Sequence, residues 1–214
     1  MQSAAEYIAK TESAMRKFFD GIDSYLEVLR RSPNPFFVTS NTEAADFYAQ
    51  HEEWTKDNQH SIAASLEAQE KYAAELFAQA TLCGAVLQVA AKALECYSKN
   101  TDIPSEWSPV IKPKQKSVRF CVGRLIHGVP LGLVIYAARN QHTHFDDAEL
   151  NEPNLSVFER LATNHGIQSS QPFRYPAFDL QNPGLVSFAS NCTALIGWRS
   201  YEAYEKDMRA LLEI

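Results

Sequence analysis

Apolar residues recur at Ile8, Met15, Phe18, Ile22, Tyr25 and Leu29, at spacings of three, four or seven. That periodicity predicts one buried face on an N-terminal helix. The stretch "RRSPNP" ends it, because basic residues suit a helix C-terminus and proline cannot continue one. Asn41 or Thr42 then offers a cap for a second helix running toward Trp54. The longest pattern starts near His60 and passes through Ile62, Leu66, Gln69, Ala73, Leu76, Ala80, Cys83, Leu87, Ala90, Leu94 and Tyr97. Its steps alternate three and four, which predicts one long helix, or a pair bent at Gly84, with the seam as bundle core.

Beyond Lys99 the pattern breaks. Pro104, Pro109 and Pro113 predict a long connecting loop to about Lys116. "SVRFCVGRLIHGVP" fits a strand or a short helix, and Pro130 suits the first turn of whatever follows. "LGLVIYAA" is apolar on every side and is therefore buried. "EPNLSVFERLATNHG" predicts a helix with Leu155, Phe158 and Leu161 on one face and Gly166 just past its end. A loop through "FRYPAF" and two short helices, after Pro183 and after Ser200, complete the chain. Strand content is confined to about 117–135. The prediction is an all-α helical bundle with one long or bent helix and long loops. It forms a single domain over 1–214, with about 167–214 as a C-terminal helical extension.

Composition narrows the function classes. The chain has 214 residues and a formal net charge of −6, which argues against a broad nucleic-acid-binding face. No run of about 18 apolar residues predicts a membrane span, and the N-terminus lacks the apolar core of a signal peptide. Cys83, Cys96, Cys121 and Cys192 are widely separated, as expected of reduced thiols in the cytoplasm.

Chemistry concentrates where the apolar run ends, in "ARNQHTHFDD". "HTHFDD" resembles part of a metallo-hydrolase histidine motif, but the only later histidine is His165, so the expectation is no metal and no cofactor. Arg139, Asn140 and His144 form an R-N-x-x-x-H arrangement. The spacing alone is weak, since Arg160 and His165 share it. Context separates the two pairs: Arg160 lies in an amphipathic helix and is expected to be solvated, with His165 at a helix C-terminus.

The segment "GRLIHGVPLGLVIYAARNQHTHFDD" resembles the HEPN superfamily, helical proteins marked by arginine, a polar residue and a histidine after four to six intervening positions. The resemblance implies a helical bundle, a homodimer that joins two such motifs, and metal-independent cleavage of RNA, often in a toxin with its antitoxin or in phage defence. Carried onto this chain, His144 is the acid–base group, Arg139 the phosphate clamp and Asn140 an orienting group. His142 is a second candidate base. Arg124 is a candidate substrate contact, with a salt bridge as its other reading. RNA makes the chemistry self-consistent: its 2′-hydroxyl is the nucleophile, an imidazole moves the proton, and a guanidinium fork holds the phosphate. On an ideal helix Arg139 and His144 are about 140° apart. Either the helix ends first or a second copy completes the pair. Asp146 and Asp147 suit a cap or a histidine partner. The rival reading is a non-catalytic helical module that binds a nucleotide or a protein.

Overall fold

The computed structural model describes residues 2–40, 43–145, 150–163 and 174–214. It is all-α: the described residues form seven α-helices and two 3-10 turns, with a single two-residue hairpin as their sheet. The helices are α1 (Ala4–Arg30), α2 (Ala44–Asp57), α3 (Gln59–Tyr97), α4 (Leu131–Thr143), α5 (Asn154–Ala162), α6 (Ala189–Leu195) and α7 (Tyr201–Leu212). The chain divides into two compact units, one of residues 1–21 with 79–214 and one of residues 22–78.

The larger unit is built around α4. Seven of its first eight side chains are buried, Tyr136 excepted, as the continuous apolar run requires. α4 packs on α5, on α6 and on the 3-10 turn Lys116–Phe120. Its N-terminus has no side-chain cap. Instead the carbonyls of Arg124 and Val122 accept from the amides of Leu131 and Gly132 at 2.9 and 3.0 Å, which satisfies donors that burial would otherwise orphan. A Cβ at Gly132 would overlap the Phe120 carbonyl, so only glycine permits that approach. The ambiguous stretch before α4 is thus a 3-10 turn and then a hairpin, Leu125–Ile126 with Val129–Pro130. His127 and Gly128 turn the corner with φ of 50° and 76°, the positive values a tight hairpin requires. Pro130 caps α4 from just outside rather than opening its first turn.

The first part of α1 runs beside the last part of α3. The Tyr7 hydroxyl donates to the Val89 carbonyl at 3.1 Å, and Tyr7 and Tyr97 rings lie 5.7 Å apart. Met15 and Phe19 are buried. Phe19, not the expected Phe18, takes the core position and meets Tyr204 of α7. The Ser200 hydroxyl caps α7 by accepting from the Ala203 amide. The proline-rich connection after α3 is not a surface loop throughout: Trp107 and Ile111 are fully buried. In α5 the buried face is Val157, Phe158, Leu161 and Ala162, whereas Leu155 is exposed. A β-bridge between Thr163 and Arg174 lies outside the range expected for strands. The cysteines are free thiols; burial pushes Cys121 up to about 11.

The smaller unit holds the last part of α1, all of α2 and the first part of α3. Phe47, His51 and Trp54 make a stripe on α2, and Phe37 lies across it with ring centres at 5.2 to 5.7 Å. The Thr39 hydroxyl donates to the Gln50 carboxamide oxygen. The expected caps Asn41 and Thr42 lie outside the described residues. Among the described residues of this unit only Ile22 and Ala68 are buried. α3 is the one described helix long and apolar enough to cross a membrane. In the larger unit it spends that apolarity on packing, with Cys83, Val86, Leu87, Ala90 and Leu94 all buried.

Candidate functional site

The last turn of α4 presents five consecutive chemistry-bearing side chains, and helical geometry sends them in different directions. Arg139 is half-buried, and its Nε is buried without a hydrogen-bond partner. Its guanidinium carbon lies 5.8 Å from the Tyr136 ring centre. Asn140 donates from Nδ2 to Asn154 Oδ1 of α5 at 3.1 Å. Gln141 is buried and doubly bonded: its Nε2 donates to the Val186 carbonyl at 3.0 Å and its Oε1 accepts from the Phe188 amide at 2.9 Å. Gln141 is not among the candidate site residues that the sequence offers. Its place three and four residues after Ala138 and Ala137, on the buried face of α4, is the available sign that it needs partners.

His142 is half-buried, with Nδ1 2.8 Å from the Ser187 hydroxyl. Its ring fills a notch over α3, where a Cβ at Gly84 would overlap the imidazole. Gly84 therefore makes room for a ring; α3 continues unbroken through it. Burial holds the His142 pKa below its usual value, so the ring is neutral at pH 7.

His144 is the first residue beyond α4, and its amide donates to the Asn140 carbonyl at 3.0 Å. The helix thus ends between the two halves of the R-N-x-x-x-H arrangement. His144 is exposed and lines a cleft of about 980 Å³. Gln141 and Phe145 share that wall, while Arg139, Asn140 and His142 do not line the cleft. Most of the remaining described lining comes from α5 and from residues 174–188. Phe158, Phe178 and Phe188 contribute apolar lining. The charged lining is Glu152, Glu159, Asp179, Arg160 and Arg174. Arg174 is committed to its neighbours, with bonds of 2.7 and 2.9 Å to the two Glu159 oxygens and 3.3 Å to Asp179. That fork holds Glu159 below the usual carboxylate range. Arg160 lies 4.8 Å above the Trp107 ring and is half-buried, so it is not the freely solvated arginine expected.

Arg124 stands just before the hairpin and does not line the cleft. Its guanidinium bonds Asp207 at 2.9 and 3.2 Å and the Ile196 carbonyl, and Trp198 Nε1 also donates to Asp207. This is the salt-bridge reading of Arg124. Asp146, Asp147, His165, Gly166 and Phe173 lie outside the described residues. Among the described residues no group of three His, Cys, Asp or Glu side chains converges as a metal site. The chain matches no family model, no curated protein and no solved structure.

Proposed function

We propose that this protein is a metal-independent endoribonuclease that works as a homodimer. One observation carries the reading: α4 stops so that His144 stands exposed on a large cleft, one turn beyond an arginine whose Nε is buried and unpaired. The resemblance of this segment to HEPN proteins supplies the reaction class. His144 removes the proton from a 2′-hydroxyl, whose oxygen attacks the adjacent phosphorus. The P–O5′ bond breaks, the leaving oxygen takes a proton from an imidazole, and the products are a 2′,3′-cyclic phosphate and a 5′-hydroxyl. Arg139 holds the phosphate oxygens as charge builds. Within one chain Arg139 does not reach the cleft lining, so a two-fold axis that sets one copy's Arg139 beside the other's His144 is part of the proposal. Asn140 orients His144 through its carbonyl. His142 serves as a packing group in this scheme, and Arg124 takes no part. A cytoplasmic toxin or phage-defence role, with an antitoxin as partner, follows from the same resemblance.

A second reading has its own support. Asn140, Gln141 and His142 are all bonded to protein groups, and Arg174 is neutralised by two carboxylates. That is the condition of a structural tail beside a binding cleft, as in a non-catalytic helical module. Incubation of the purified protein with mixed RNAs in EDTA separates the two. The nuclease gives new cyclic-phosphate ends, lost in Arg139→Ala and His144→Ala while helical circular dichroism is kept. Intact RNA with the wild-type protein leaves the module.

A further inference from the structure

The chain's charge is unevenly placed. Residues 22–78 hold ten Asp and Glu against four Lys and Arg, while the remainder holds sixteen of each. The smaller unit therefore carries the whole formal net charge of −6. All four of its cations are already in ion pairs of the same unit: Arg30 with Asp23, Arg31 with Glu27, Lys56 with Glu52 and Lys71 with Glu67. Glu53, Asp57, Glu70 and Glu75 make no ion pair among the described residues.

The same unit is rich in exposed apolar side chains. Of thirteen exposed large hydrophobic residues among the described residues, eight lie in this unit, among them Phe36 at 74%, Val38 at 77%, Tyr48 at 70% and Phe77 at 61%. On α3 the exposed Leu66 and Phe77 share a face, with Leu76 about 80° from Leu66. Ile62, Leu66, Ala73 and Phe77 fall within about 60° of one another around the helix. Glu70 and Glu67 follow at about 40° and 100° from Leu66, along one edge of that stripe. Scattered single apolar residues need no explanation, but a stripe with a charged border marks an interaction surface.

We propose that residues 22–78 dock a basic amphipathic helix of a partner protein, with its aliphatic face on the Leu66–Phe77 stripe and its lysines and arginines along the acidic border. Charge complementarity selects this occupant. A second copy would set −6 against −6, and RNA or an anionic bilayer carries the repelled sign. The proposal does not depend on nuclease activity.

The test uses the full chain and three labelled helical peptides followed by fluorescence anisotropy. One has a leucine stripe flanked by lysines, one has the same stripe flanked by glutamates, and one has the first composition scrambled. The expected result is binding of the first at least about tenfold tighter than the others, weakening as salt rises. Leu66→Ser with Phe77→Ser should reduce that binding by about tenfold or more, and Glu67→Lys with Glu70→Lys should remove its salt dependence. Leu125→Ser, an equally exposed position in the larger unit, should leave it unchanged. Equal binding of the acidic or scrambled peptide overturns the proposal. So does loss of self-association, RNA binding or vesicle binding in the Leu66→Ser/Phe77→Ser protein, since each names a different occupant. Circular dichroism of the variants keeps an unfolded protein from counting as a result.

Discussion

The two parts of α3 share one seam and use it differently. From Ala80 to Leu94 the three- and four-residue steps land on buried side chains. From Ile62 to Phe77 the same steps land on Leu66 at 55% and Leu76 at 44% exposure. Local pattern makes both parts helical, but it does not determine what covers them. In the larger unit α1, α4 and α6 supply partners; in the smaller unit, α2 contributes no buried residue at all. Periodicity reports the helix, while burial depends on how many elements converge.

That contrast sets the order of expected effects. Leu87→Ala removes a fully buried side chain and should cost about 2–5 kcal/mol in urea unfolding. Gly84→Ala comes next: its methyl must displace the His142 ring, with an expected loss of about 1–3 kcal/mol. The double variant Gly84→Ala/His142→Ala should recover part of that loss, and simple additivity would contradict the notch. Gln141→Ala leaves the Phe188 amide and Val186 carbonyl unpaired, at about 1–3 kcal/mol. A pH effect should be smaller. Because burial lowers the His142 pKa below 6.5 in the folded chain, the unfolded chain binds the proton more readily. Stability from this group is present above about pH 6.5 and declines as pH falls below it. His142→Gln should flatten that slope in thermal melts across this window. Leu66→Ala should change stability by no more than about 0.5 kcal/mol, although it is the same residue type on the same seam as Leu87.

Much of the fold was legible in the residues. The long helix, the proline stop after Arg30, the buried run of α4 and the Ser200 cap all rest on local rules. What escaped was set by packing at a distance. Phe19 rather than Phe18 meets Tyr204, and Leu155 faces out because α4 takes the opposite side of α5. At the site, the cluster at the end of α4 was readable as polar chemistry following a buried run. Its division was not. His142 in the Gly84 notch and Gln141 bound to 186 and 188 depend on partners at least 45 positions away in sequence, and the cleft beside His144 is assembled from residues between 141 and 188. Arg124 carried a signal of needing a partner, and the partner is Asp207.

The bonds from Gln141 and His142 reach Val186, Ser187 and Phe188, three residues in a row. They stitch one bank of the cleft to the helix that presents His144. The lining around Arg174 is fastened instead by ion pairs that water reaches, the weaker kind of fastening. The lining therefore differs in compliance from part to part: residues tied to α4 by hydrogen bonds yield less to an incoming molecule than those held by water-exposed ion pairs.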